Sequence, residues 1–96
     1  MFMPARQLLA SSALGDSTSQ GPKTRDRTMA RKAAGNRKYG DPDMAAPITI
    51  SHGDTWPGAK GRPVIYDGHH RLAKGLETNA ELPLQHIDND KNWRTL

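Results

Sequence analysis

The sequence predicts an α+β fold, a small β-sheet packed by one strongly basic helix and one shorter helix. Three patterns lead to it. Residues 24–38 run without a breaker, and Met29, Ala30, Ala33 and Ala34 recur at helical spacing. Pro47 to His52 alternates with the period of a half-buried strand, Ile48, Ile50 and His52 on one side and Thr49 and Ser51 on the other. Val64-Ile65-Tyr66 is a short β-branched and aromatic run that Gly68 stops, after which Leu72, Ala73 and Leu76 mark one face of a helix.

Taken in order, Phe2 to Leu9 is apolar and reads as a short anchoring strand or turn, and Ser11 to Pro22 is a turn-rich polar run that reads as a flexible loop. The basic helix over 24–38 has Asp26 near its N-terminus, where the helix dipole favours negative charge. Gly40-Asp41-Pro42-Asp43 ends it, because proline cannot continue a helix and the run is turn chemistry. The strand over 47–52 is joined to the run at Val64 through a glycine-bounded loop containing Trp56-Pro57-Gly58, and the pair reads as a hairpin. The second helix spans His69 to Thr78 with Asn79 as its C-terminal cap. Leu82 to Ile87 is a last strand whose Pro83 argues for a strand start or a sheet edge, and residues 89–96 form a polar tail carrying Trp93.

Composition narrows the function classes. The chain has 96 residues, 34% hydrophobic and 5% aromatic, so its core is modest and draws mainly on Leu, Ile, Val, Met and Ala. A multidomain enzyme is excluded, and self-association into a homo-oligomer is an expected route to extra stability. The lack of cysteine excludes a disulfide framework, a thiolate zinc site and cysteine catalysis. No stretch reaches the roughly 20 apolar residues of a membrane span, and the first residues lack the pattern of a secretion signal, so a cytoplasmic protein without a membrane partner is expected. Residues 1–46 carry eight basic and four acidic side chains, residues 47–96 six of each, so the net charge of +4 resides in the first half. Arg25, Arg27, Arg31, Lys32, Arg37 and Lys38 are the candidates for contact with nucleic-acid phosphates.

The run that carries chemistry is Ile65-Tyr66-Asp67-Gly68-His69-His70-Arg71-Leu72-Ala73. A strand that turns through a glycine into a helix presents unpaired amides and the positive end of the helix dipole, which together favour a phosphate. Gly68 allows close backbone approach, and Arg71 can add a bidentate contact. Gly68, His69, His70 and Arg71 are therefore the candidate phosphate-binding residues and Asp67 the candidate catalytic one. Two adjacent histidines on a helix point about 100 degrees apart, so one metal ion rarely takes both, and no metal site is assigned. His52 and His86 would join them only if their strands were sheet neighbours.

Asp67-Gly68-His69-His70-Arg71 resembles the signature of the ParB and sulfiredoxin-like superfamily. The likeness is clearest over 47–87, where Pro47-Ile48-Thr49-Ile50 is similar to the strand before the hairpin and Leu82 to Ile87 to the strand after the signature helix. Phe2-Met3-Pro4-Ala5 and residues 24–38 are similar to the first strand and the preceding helix. The resemblance implies a small mixed β-sheet with a basic helix and a signature helix, with 23–88 as the ParB-like core and 1–22 as its N-terminal strand and loop. It is nearest in kind to bacteriophage-encoded ParB-like nuclease-domain proteins, which would place the chain in the host cytoplasm.

In function, the resemblance implies a nucleotide or nucleic-acid phosphate held at the signature turn, a nucleotide with Mg as the companion ligand, and nuclease or NTPase activity as an open question. His69 stands where sulfiredoxin chemistry needs a cysteine, so that activity is excluded. His69 and His70 also replace the Glu and Arg usual in CTP-hydrolysing partition proteins. A second reading is a non-catalytic module that binds a host or phage protein through a degenerate ParB-like fold. A third is a small-molecule phosphotransferase, which needs a carboxylate to take a hydroxyl proton, Asp67 in the turn with Asp16 or Asp54 on loops. Trp56 and Trp93 are candidate protein-contact anchors, with core cover the expectation for Trp56.

Overall fold

The computed structural model describes residues 1–17, 19–52, 59 and 61–88. Among them the chain forms β1 (Phe2–Pro4), α1 (Ala5–Ser11), β2 (Ala13–Leu14), α2 (Pro22–Tyr39), β3 (Ile48–His52), β4 (Val64–Asp67), α3 (His69–Thr78) and β5 (Glu81–Asp88). The strands make one mixed sheet in the order β1-β5-β3-β4-β2. The pairs β1/β5 and β3/β4 are antiparallel, and β3/β5 and β2/β4 are parallel. The small α+β domain expected from the sequence is the one observed. Trp56, Asp54 and the tail with Trp93 lie outside the described residues.

The main correction falls on the N-terminal segment. Residues 5–11 are a helix, not part of an anchoring strand and loop, because Ala, Arg, Gln and Leu are strong helix formers and no breaker interrupts them. Leu8 is buried and Leu9 half-buried, a spacing too short to show a period. Among the described residues after it, Gln20 and Ser17 make specific hydrogen bonds. Gln20 lies beside the β2 edge and mimics a neighbouring strand: its Oε1 accepts from the Leu14 amide (2.9 Å) and its Nε2 donates to the Leu14 carbonyl (3.0 Å). Ser17 and Thr28, both buried, share a hydroxyl hydrogen bond of 2.7 Å that ties the segment to α2.

Helix α2 begins two residues earlier than expected, with Pro22 in its first turn after Gly21, so Asp26 falls outside that turn. Gly40 terminates it at φ 104°, and Arg37 and Lys38 occupy its last turn where the dipole favours cations. Helix α3 ends as expected at Asn79 in the left-handed conformation, with the Ala80 amide returning to the Gly75 carbonyl at 2.9 Å.

One core joins the helices to one sheet face: Ala5, Leu8, Leu14, Met29, Ala33, Ile48, Ile50, Ile65, Leu72, Ala73 and Leu82. A smaller cluster joins Ala13 of β2 and Val64 of β4, at the alternate positions of those strands, to Ala59. Pro83 lies inside β5, which is not an edge. The Leu84 amide donates to the Met1 carbonyl (3.0 Å), so Phe2 and Pro83 form the non-bonded pair of that ladder. The β3 ladder starts only at Leu84, and the proline removes no bond. His52, expected on the core side with Ile48 and Ile50, is exposed at the end of β3.

Candidate functional site

Strand β4 reaches the turn irregularly. Thr49 pairs with Asp67 but Ile50 with Ile65, which leaves Tyr66 as the extra residue of a bulge, a device that re-aims side chains at strand ends. Gly68 follows at φ 107°, ψ 20°. A Cβ there would stand 2.6 Å from Ile48 Cδ1 and 3.3 Å from Ile48 Cα, so only glycine lets the chain pass. The first helical bond of α3 runs from the Leu72 amide to the Gly68 carbonyl (2.9 Å), and no side chain caps the helix. The amides of His69, His70 and Arg71 therefore have no acceptor within the helix.

These residues line a cleft of about 260 Å³ together with Asp16, Lys32 and Tyr66. The structure thus gathers all five residues of the expected phosphate turn and adds two charged groups. Asp16, named in sequence only as a loop acid, comes from the turn after β2. Its amide donates to His69 Nε2 (3.3 Å) across 53 residues of sequence, and its carboxylate pairs with Lys32. The hydrogen bond from Lys32 holds the Asp16 carboxyl below its ordinary value, burial opposing it and His69 adding to it. No spacing rule marks Asp16, because only the tertiary fold brings β2 beside β4.

The two histidines serve as staples. His69 is buried (8% exposed), and burial pushes its imidazole below the ordinary value. As the acceptor for Asp16 it carries its proton on Nδ1. His70 Nδ1 donates to Asn36 Oδ1 (3.1 Å) while Asn36 Nδ2 donates to the His70 carbonyl (3.0 Å), locking α3 to α2. The ring packs against Gly35, where a Cβ would lie 3.2 Å from His70 Cε1. Both rings are thus engaged in contacts within the protein, while the two amides have no acceptor within the helix. Arg71 Nη2 donates to the Pro47 carbonyl (3.0 Å) and approaches Asp67 Oδ2 at 3.5 Å, and its Nε is buried without a partner.

The six cations expected to act together divide by face. Arg27, Arg31 and Lys38 are exposed on the outer side of α2 with Lys23, whereas Arg37, also exposed, pairs with Glu77 of α3 at 3.6 Å. Lys32 turns inward to the cleft. Arg25 also turns inward and does not join the outer face: its Nη2 donates to the carbonyls of Leu9 and of Ser12, the latter at 2.8 Å. Burial lowers its basicity, with Arg62 adding to the effect. Arg27 and Arg31, with Thr24, Thr28, Asp16 and Ser17, line a second polar hollow of about 240 Å³ that shares Asp16 with the first.

His52 and His86 do meet, on the neighbouring strands β3 and β5, but at the far end of β3 from the Gly68 turn. Among the described residues no group of three or more His, Asp or Glu can hold a metal ion, and no helix is long and apolar enough to cross a membrane. Compared with protein-family models, curated proteins and solved structures, the chain has no match in any of the three.

Proposed function

We propose that the chain binds the phosphate of a nucleotide or nucleic acid at the turn Asp67 to Arg71, on a fold of the ParB and sulfiredoxin-like kind. The observation that carries this reading is the Gly68 turn, which leaves the His69, His70 and Arg71 amides without helical acceptors at a cleft lined by those same residues and by Lys32. The resemblance of Asp67-Gly68-His69-His70-Arg71 to the superfamily signature supports the same site.

The charge balance of the cleft sets a condition on binding. Lys32 is paired with Asp16 and Arg71 with Asp67, so a phosphate must compete with two carboxylates. A magnesium ion would relieve that competition, because such an ion is held by one or two carboxylates plus substrate phosphates rather than by an all-protein cage. Asp16 and Asp67 are the donors that fit it, and the ion would supply charge neutralisation of the phosphate. Asp16, held ionised by Lys32, is a weak proton acceptor, which leaves Asp67 as the base if turnover accompanies binding.

The test is thermal unfolding with CTP, ATP, GTP and short DNA, each with and without magnesium, on the protein and on Arg71→Ala. A bound ligand raises apparent stability by mass action. A magnesium-dependent rise with one of them, absent in the variant, is the expected result. No rise with any ligand, or a rise that Arg71→Ala leaves unchanged, contradicts the site.

A further inference from the structure

The histidine pair on the central strands forms a second feature, independent of the phosphate turn. His52 Nε2 and His86 Nδ1 lie 2.7 Å apart, with ring centroids at 4.9 Å and ring planes inclined by 28°. Both side chains are exposed. Their placement follows from register: β3 and β5 run parallel with Ile50 opposite His86, so His52, two residues on, shares a sheet face with His86. His52 is four residues beyond Ile48, which packs at the Gly68 turn, and so stands about 13 Å along the strand from it.

We propose that His52 and His86 form a two-imidazole site for a borderline transition-metal ion such as Zn(II), completed by water. Imidazole nitrogen suits such ions, which bind it at about 2.0–2.1 Å. Two nitrogens on a tetrahedral ion stand about 3.3 Å apart at that bond length, so the pair opens by about 0.6 Å to admit the ion. Exposed side chains make that adjustment by small rotations. In the present hydrogen bond one of the two nitrogens carries a proton. On metal binding that ring moves its proton to its other nitrogen, so that both lone pairs face the ion. Backbone pairing already fixes the strands that carry the two rings, so the ion orders little beyond the side chains. Magnesium, which demands oxygen donors, is excluded from this site.

The experiment is titration of the full chain with Zn(II), followed by calorimetry and by the NMR signals of the four histidine rings, with Mg(II) in parallel. One ion per chain is expected to move the rings of His52 and His86 first, and Mg(II) is expected to leave them in place. His52→Ala and His86→Ala, both at exposed positions, are each expected to weaken Zn(II) binding about tenfold or more, the scale set by loss of even an outer-shell partner. They are expected to keep the wild-type circular dichroism. Undiminished binding in the double variant, or first movement of the His69 and His70 rings in the native protein, overturns the proposal. The ring signals report on the folded native chain, so the outcome stands even where a variant folds poorly.

Discussion

At Gly68 a single missing Cβ decides both the fold and the site. The left-handed φ and the 2.6 Å approach of Ile48 Cδ1 make any side chain strained there. Gly68→Ala is expected to lower stability by about 1–3 kcal/mol, read from urea unfolding; an unchanged midpoint would show that the turn relaxes. His69 makes a prediction of the opposite kind, about protonation. Burial lowers its native affinity for protons, so the unfolded chain binds more protons once pH falls below the ordinary value of 6.5. Stability is therefore expected to fall as pH drops from 6.5 toward the depressed native value, and His69→Gln is expected to flatten that slope. Asp16 acts in the same direction at lower pH, its contribution being lost only below 3.8. The motif residues were legible in sequence because turn chemistry is local. That both rings are used as staples was not, since Asn36 and the Asp16 amide arrive from distant segments.

Among the elements, α2 was legible as a basic helix, but not as two faces with different duties. Arg25 and Lys32 hold the N-terminal segment in place, while the outer residues Lys23, Arg27, Arg31 and Lys38 follow one another at intervals that keep them on one side. If that side meets nucleic acid, Arg27→Ala and Arg31→Ala are each expected to weaken DNA binding across sequences. Each should also reduce the salt slope by about 0.9 for duplex or 0.7 for single strands. A salt slope unchanged in both variants would assign the stripe to solvation alone. Strand β2 depends on an element that sequence could not show, the Gln20 side chain acting as its outer neighbour. Gln20→Ala removes two hydrogen bonds and is expected to cost about 1–3 kcal/mol, with faster hydrogen exchange at the Leu14 amide as the local reading. Helix α1 escaped notice because seven residues with adjacent leucines give no clear period.

Across the whole molecule, the N-terminal segment supplies both outer strands of the sheet, β1 on one side and β2 on the other. That topology creates the cleft: β2 carries Asp16 to the end of β4, and α2 brings Lys32 over both. The α+β class and the order from strand to turn to helix were readable from periodicity. The joining of Asp16, Lys32 and the turn was not, because it depends on which strands pair. Leu72, fully buried at the junction of helices and sheet, tests the integrity of this assembly. Leu72→Ala is expected to cost about 2–5 kcal/mol in urea unfolding, a large part of a small domain's stability.

The central claim, that the Gly68 turn holds phosphate through backbone amides, is tested most directly by titrating isotope-labelled protein with a nucleoside triphosphate and magnesium while following each amide by NMR. The amides of His69, His70 and Arg71 are predicted to shift together and to saturate with a single affinity, a response that Arg71→Ala weakens. Saturable shifts confined to the outer face of α2, or none at the turn, would contradict it.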